Sequence, residues 1–348
     1  MSMWNDILSN PSNLQTVIQS HLDSNQLALT KAARMIHRAG QVSFTGVGSG
    51  LNATIPASYY LMSHGFPSQY LDATEAAYQL FPGLKESAIV LNTRSGETAE
   101  LIRLIELADQ NQVPTIAVTN EPESRVGLGA NVCIPTYSRW DELVVVSAFL
   151  GMAATELLLA GMVAGGFEQM AADLQKSVEL LPGFLDQVIS QRQEILDALY
   201  DAHPLYLLGR GPSLASAISG ALVIQETSRR DVLALPTGMF RQGPIEVIGP
   251  HFRAMMFEGS GETARLNYRL AEELLQQGSQ IVWVGTTHLP QAANIQVPEL
   301  PVHILPLLEI IPTQVLAYDL AIQDGIVPGE VQHIQRVITS EHGIMSQK

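Results

Sequence analysis

The stretch Leu91-Asn92-Thr93-Arg94-Ser95-Gly96-Glu97-Thr98-Ala99-Glu100 decides how this chain is read. An apolar run, Ala88–Asn92, gives way to hydroxyl-bearing residues and a glycine. An amphipathic run follows, with Leu101, Ile102, Leu104, Ile105 and Ala108 on one side. The order predicts a strand, a tight loop and a helix opening at about Glu97. In a parallel sheet that loop lies at the C-terminal edge, where ligands of open α/β sheets bind. The leading helical amides and the positive end of the helix dipole favour an anion there. Thr93, Ser95 and Thr98 supply hydroxyls, and Gly96 lets the backbone approach closely. A phosphate grip is one reading of these residues; a simple N-cap at Ser95 is the other.

Working outward, the same letters return. SGETA stands at Ser95–Ala99 and again at Ser260–Ala264. The second copy also follows a strand-like run and opens an amphipathic helix, using Leu266, Leu270, Ala271, Leu274 and Leu275. Upstream, each half carries a glycine turn, Gly46-Val47-Gly48-Ser49-Gly50 and Gly209-Arg210-Gly211-Pro212-Ser213. Strand-like runs in the first half are Val42–Thr45, Gln69–Leu71, Ala88–Asn92, Thr115–Thr119 and Val132–Pro135. The second half offers Leu205–Leu208, Val232–Leu235, Ala254–Phe257, Gln280–Val284 and Val302–Leu305. Each half closes on an apolar helix, near Leu143–Ala164 and Leu308–Gln323. Strands alternating with helices predict parallel sheets covered on both faces. The expected organisation is leading helices in residues 1–33, a first α/β domain in 34–166 and a helical connector in 167–200. A second α/β domain is expected in 201–323 and a tail in 324–348.

Composition narrows the function. Of 348 residues, 46% are hydrophobic and 15% charged, which excludes a disordered chain. The net charge of −15 disfavours nucleic acid and anionic membranes as partners, so an anionic ligand must be held by local devices. The single cysteine, Cys133, leaves no internal disulfide and no cysteine zinc cage, and a reducing cytoplasm is the expected home. No signal-peptide pattern opens the sequence. Leu143–Phe167 is long and apolar enough for a bilayer, but Glu156 interrupts it and basic flanks are missing, so a buried helix is expected. The histidines form no HxH or HxxxH pair, so no metal is expected. The first glycine turn has Leu51 where a dinucleotide fingerprint needs glycine, and no cofactor is expected.

The order of glycine turn, strand–SGET–helix, and a second half reading GALVIQETS…PTGMFRQGP resembles tandem SIS (sugar isomerase) proteins over roughly Ala33 to Glu341. These include the isomerase half of glucosamine-6-phosphate synthase, fructoselysine-6-phosphate deglycases and tagatose-phosphate isomerases. The resemblance implies two tandem three-layer αβα SIS domains, each with a five-stranded parallel sheet. It implies a sugar phosphate as ligand, held by Gly48, Ser49, Thr93, Arg94, Ser95, Gly96 and Thr98. Arg94 stands where glutamine or another small polar residue is usual; it adds a cation for phosphate or for a second anionic group.

The family's general base, a helical glutamate, falls on Glu226, which would shuttle a proton between C1 and C2 of an open-chain sugar. Three departures follow. Gln242 of Phe240-Arg241-Gln242-Gly243-Pro244 replaces the histidine that opens the sugar ring. Val223 replaces a lysine of the synthase. Arg336 of Arg336-Val337-Ile338-Thr339 replaces the lysine associated with its open-chain substrate. Glutamine does not titrate, and arginine stays protonated and forms no Schiff base, so the synthase reaction is disfavoured. His342 is a candidate stand-in for the missing histidine. No N-terminal cysteine nucleophile is present, so no amidotransferase half is expected. The second copy exchanges Thr93 and Arg94 for Glu258 and Gly259, and is read as a copy that no longer binds. The expectation is isomerisation or deglycation of a 6-phosphorylated ketosamine or amino sugar by a homodimer or larger homo-oligomer. The alternative is a sugar-phosphate sensor without catalysis.

Overall fold

The computed structural model describes residues 2–24, 26–141 and 144–333. The chain divides into two compact units. The first helix, α1 (Met3–Leu8), belongs with Lys176–Glu330, while Ser9–Gln175 form the body of the other unit.

In the unit built on Ser9–Gln175, α2 (Asn10–Ser24) and α3 (Gln26–Ala39) lead into β1 (Val42–Gly46). There follow α4 (Ser49–Ser63), β2 (Ser68–Asp72), the one-turn α5 (Ala73–Glu75), β3 (Ala88–Thr93) and α6 (Ala99–Asn111). The unit ends with β4 (Thr115–Thr119), α7 (Arg125–Gly129), β5 (Val132–Pro135) and α8 (Ser147–Ala164). The sheet is parallel throughout, in the order β2-β1-β3-β4-β5. Its central strands β1, β3 and β4 are buried on both faces; the hydroxyls of β1 are satisfied inside, Ser43 by Ser87 and Thr45 by the Val90 carbonyl. Ile89 and Leu91 pack against Leu101, Leu104 and Ala108 of α6 on one face, as the helical spacing predicts. Helices α4 and α8 cover the other.

α8 is the one helix among the described residues long and apolar enough to cross a membrane, and 89% of it is buried inside the protein. Glu156 lies fully buried within it, and burial pushes its carboxyl well above the ordinary value.

The long α9 (Phe167–Leu199) runs on into the second unit. That unit continues with β6 (Leu205–Gly209), α10 (Leu214–Ser228), β7 (Val232–Pro236), the one-turn α11 (Thr237–Phe240) and β8 (Arg253–Phe257). It closes with α12 (Gly261–Gln276), β9 (Gln280–Gly285), β10 (Ala293–Gln296) and α13 (Pro306–Gln323). The sheet order is β10-β9-β8-β6-β7, again all parallel. Read from the other edge, this is the order of the first sheet, so the repeat in the letters is a repeat in topology. Met256 and Trp283 pack against Leu270, Ala271 and Leu274 of α12.

Two expectations are corrected. Val302–Leu305 is not a strand: the Ile304 amide donates to the Pro301 carbonyl at 2.8 Å, turning the chain into α13. The fifth strand is instead β10, Ala-Asn-Ile-Gln, too short and too mixed to stand out, at an edge position that demands little apolar patterning. And α6 begins at Ala99 rather than about Glu97, with Thr98 as the N-cap residue.

Candidate phosphosugar site

In each sheet the strand order reverses next to its first strand. β1 pairs with β2 on one side and β3 on the other, with Gly46 opposite Asn92. The connections leaving β1 and β3 diverge, opening a crevice at the C-terminal edge. The glycine turn and the Thr93–Thr98 loop leave from these two strands.

The turn is built for close approach. A Cβ on Gly50 would stand 2.7 Å from the Asn92 carbonyl oxygen, and one on Gly46 would stand 2.6 Å from the Leu51 nitrogen. Gly48 takes a φ of 55°, in the left-handed region. The Asn92 amide donates to the Gly50 carbonyl at 2.8 Å, tying the turn to β3. Ser49, buried, opens α4, whose N-terminus has no side-chain cap.

The loop is equally constrained. The Thr93 and Thr98 hydroxyls lie 3.1 Å apart, and the Gly96 amide donates to the Thr93 hydroxyl at 3.2 Å. The Glu97 amide donates to the Ser95 hydroxyl at 3.2 Å. Ser95 is therefore a turn residue and not the helix cap. Gly96 has φ 65°, and a Cβ there would fall 1.7 Å from Ser124 Oγ. The Glu97 carboxylate faces outward, accepting from the Arg125 amide (3.0 Å) and from Arg125 Nε (2.7 Å). The backbone bond from Arg125, with its guanidinium, holds that carboxyl below its usual range. Glu97 fastens the loop to α7. Hydroxyls and the uncapped N-termini of α4 and α6 remain, a donor set suited to an anion.

Arg94 turns toward the segment following β5. Its guanidinium lies 4.9 Å from the centre of the Trp140 ring, a cation–π contact. Next to Trp140, fully buried Asp141 accepts from the amides of Val146 (3.1 Å), Ser147 (2.8 Å) and Ala148 (2.9 Å), capping α8. Burial raises the Asp141 carboxyl, opposed by those three bonds and by the charge of Arg94. Thus the loop's cation is balanced by a buried acid. Sequence reading missed Trp140, Asp141 and Arg125 as parts of this edge, because they act from segments other than the loop, the first two after β5 and the third at the start of α7, and carry no local motif.

The second copy has another chemistry. At the equivalent edge, between β6 and β8, Glu258 stands where the first copy has Thr93. Its carboxylate accepts from Thr286 Oγ1 (3.1 Å), the Thr287 amide (2.9 Å) and Thr287 Oγ1 (2.9 Å). Fully buried Glu309 of α13 accepts from Ser213 Oγ at 3.0 Å and Ser216 Oγ at 3.1 Å. Burial pushes Glu309 up to about 8, with the two serine bonds opposing and the Glu258 charge adding. The Glu258 carboxylate at this edge works against an anion. Glu309 was not singled out from the sequence; a lone glutamate in an apolar helix was the signal available.

Glu226 lies in the last turn of α10, partly buried. Gln242 is exposed just beyond α11, its backbone N–H donating to the Met239 carbonyl at 3.0 Å. Arg336 and His342 lie outside the described residues. Among the described residues no group of three or more histidine, cysteine or acidic side chains is arranged for a metal.

Comparison with known proteins agrees with this architecture. The SIS domain profile matches residues 35–158 and 198–323. A glutamine–fructose-6-phosphate aminotransferase (isomerizing) from Pyrococcus horikoshii is 23% identical across 97% of this chain, which spans 58% of that relative's length. Among solved structures, the C-terminal domain of glucosamine-fructose-6-phosphate aminotransferase from Francisella tularensis superposes with a TM-score of 0.81 at 19% identity, covering 94% of this chain and 97% of that one. A glucosamine-6-phosphate deaminase from Thermotoga maritima gives 0.80 at 22% identity, covering 97% and 99%. With both halves matched and both sheets sharing one strand order, the chain belongs to the SIS domain family.

Proposed function

We propose that this protein binds a 6-phosphorylated ketosamine or amino sugar through the Thr93–Thr98 loop and the Gly48–Ser49 turn, and acts on it by aldose–ketose isomerisation or deglycation. The observation that carries the reading is the loop itself: hydroxyls and uncapped helix N-termini gathered at the switch point of the first sheet. Glu226 is the proposed base. Its carboxylate takes the proton from one of C1 and C2 and returns it to the other while the carbonyl moves the opposite way. In deglycation, water then hydrolyses the resulting imine and releases the amine. Glu226 has a clear place in such a scheme, whereas Gln242 can only donate or accept a hydrogen bond.

The test is incubation with fructoselysine-, fructoseasparagine- and glucosamine-6-phosphate, following glucose 6-phosphate, amine or ammonia. Turnover abolished in Glu226→Gln is expected; full activity in that variant defeats the proposal.

Gln242 favours a second reading, a sensor that binds sugar phosphate without turning it over. A sensor shows ligand-induced stabilisation with no product, and Gln242→His does not create activity. A homodimer is proposed with either reading. Leu233, Met239 and Val247, in the segment that carries Gln242, are 46%, 62% and 53% exposed, an apolar surface suited to a partner. Light scattering giving a monomer argues against it.

A further inference from the structure

Helix α1 has six residues, too few to hold a helix alone in water. It exists because of what it touches. Met3 and Ile7 are buried, and the helix packs with Lys176–Glu330 although Ser9, the next residue, begins the other unit. The Trp4 ring lies 4.9 Å from the Tyr318 ring of α13, with the Arg192 guanidinium of α9 stacked 4.5 Å from Trp4. Arg192 is fixed in turn by both oxygens of Asp319. The Met3 sulfur accepts from the Thr227 hydroxyl at 3.6 Å.

Thr227 directly follows Glu226, in the last turn of α10. The helix stops at Ser228, and Arg229 turns left-handed with φ 59°. Last turns fray, because their carbonyls lack helical partners. Farther back, α10 is gripped by α13 at Gly220, where a Cβ would lie 2.7 Å from Thr313 Cγ2. In the Glu226 turn itself, Gln225 Nε2 donates to the Val232 carbonyl at 3.1 Å, and Met3 meets fully buried Thr227. We propose that α1 is a positioning element for Glu226: Met3, held in place by Trp4 on Tyr318 and Arg192, keeps the last turn of α10 ordered so that the carboxylate meets its substrate in one geometry. The proposal rests on Glu226 acting as the base.

The experiment compares full-length Met3→Ala/Trp4→Ala with wild type by amide hydrogen exchange and by kinetics. Exchange across Ile224–Arg229 is expected to accelerate at least tenfold while α12 is unchanged. On a turned-over phosphosugar, kcat is expected to fall about tenfold with KM within twofold, since small misplacement of a catalytic group costs rate and not binding. Met3→Leu, which refills the space without the sulfur acceptor, recovers part of both. Should the double variant not fold, Thr227→Val, which deletes only the hydroxyl facing Met3, is measured the same way and is expected to shift both readouts in the same direction. Unchanged exchange in the α10 turn overturns the proposal, as does faster exchange with unchanged kcat. If wild type turns over no phosphosugar, the proposed reaction falls by that result alone, and the exchange comparison still decides whether α1 holds the Glu226 turn.

Discussion

The hydroxyls of Thr93 and Thr98 lie 3.1 Å apart, closing the loop between β3 and α6 upon itself. In the second repeat, Glu258 takes the place of Thr93 and is bound to Thr286 and Thr287. Two positions, Thr93/Glu258 and Arg94/Gly259, thus separate a donor-lined loop from an acidic one on the same topology.

Thr93→Val and Thr98→Val each remove a donor that a phosphate oxygen would use. Each is expected to weaken fructose 6-phosphate binding about tenfold, in line with about 1.5 kcal/mol for a hydrogen bond to a charged group. Titration calorimetry reads the loss, and unchanged affinity in both variants removes the loop from the site.

Gly96→Ala places a methyl against Ser124 Oγ at a left-handed φ. A cost of about 2–4 kcal/mol is expected, read as a lowered midpoint in urea, together with lost phosphosugar binding. Retained stability would mean that Ser124 moves aside readily and that the loop is less constrained than its contacts show.

Asp141→Ala strips three acceptor bonds from the N-terminus of α8 and leaves Arg94 over Trp140 without its acid. A loss of about 2 kcal/mol is expected by denaturant unfolding, with Asp141→Asn retaining part of it.

Glu309 gives a pH signature. Its carboxyl is raised from 4.5 unfolded to about 8 folded, so the folded chain keeps a proton that the unfolded chain releases. The protonated carboxyl's stabilisation is full below the unfolded value and is lost as pH rises through the folded one. Glu309→Gln, which keeps hydrogen-bonding capacity toward Ser213 and Ser216, is expected to flatten the fall in stability between pH 4.5 and about pH 8. Parallel pH profiles for wild type and variant would show that the acid is not held neutral.

Much of this was legible in the letters because the chain states it twice. Continuous apolar strands, two glycine turns and two SGETA loops predict a duplicated parallel α/β architecture, and the matching strand orders are what that duplication requires. The failures share a cause. Val302–Leu305 reads as a strand by composition, but Pro301 and Pro306 bracket a turn, while the true edge strand at Ala293–Gln296 is only half apolar. α1 falls within the leading helices expected in residues 1–33, but its place in the unit of Lys176–Glu330 had no local signal, because the partners that fold it, Thr227 and Tyr318, lie far along the chain. For the same reason the Arg94–Trp140–Asp141 arrangement had no local signature: it joins the loop after β3 to the segment after β5.

The most direct measurement of the central claim, that the first SGET loop alone holds a sugar phosphate, is calorimetric titration with fructose 6-phosphate of wild type, Thr93→Val/Thr98→Val and Ser260→Ala/Thr263→Val. One site per chain is predicted, lost in the first variant and unchanged in the second. Two sites per chain, or a single site that survives in Thr93→Val/Thr98→Val, would contradict it.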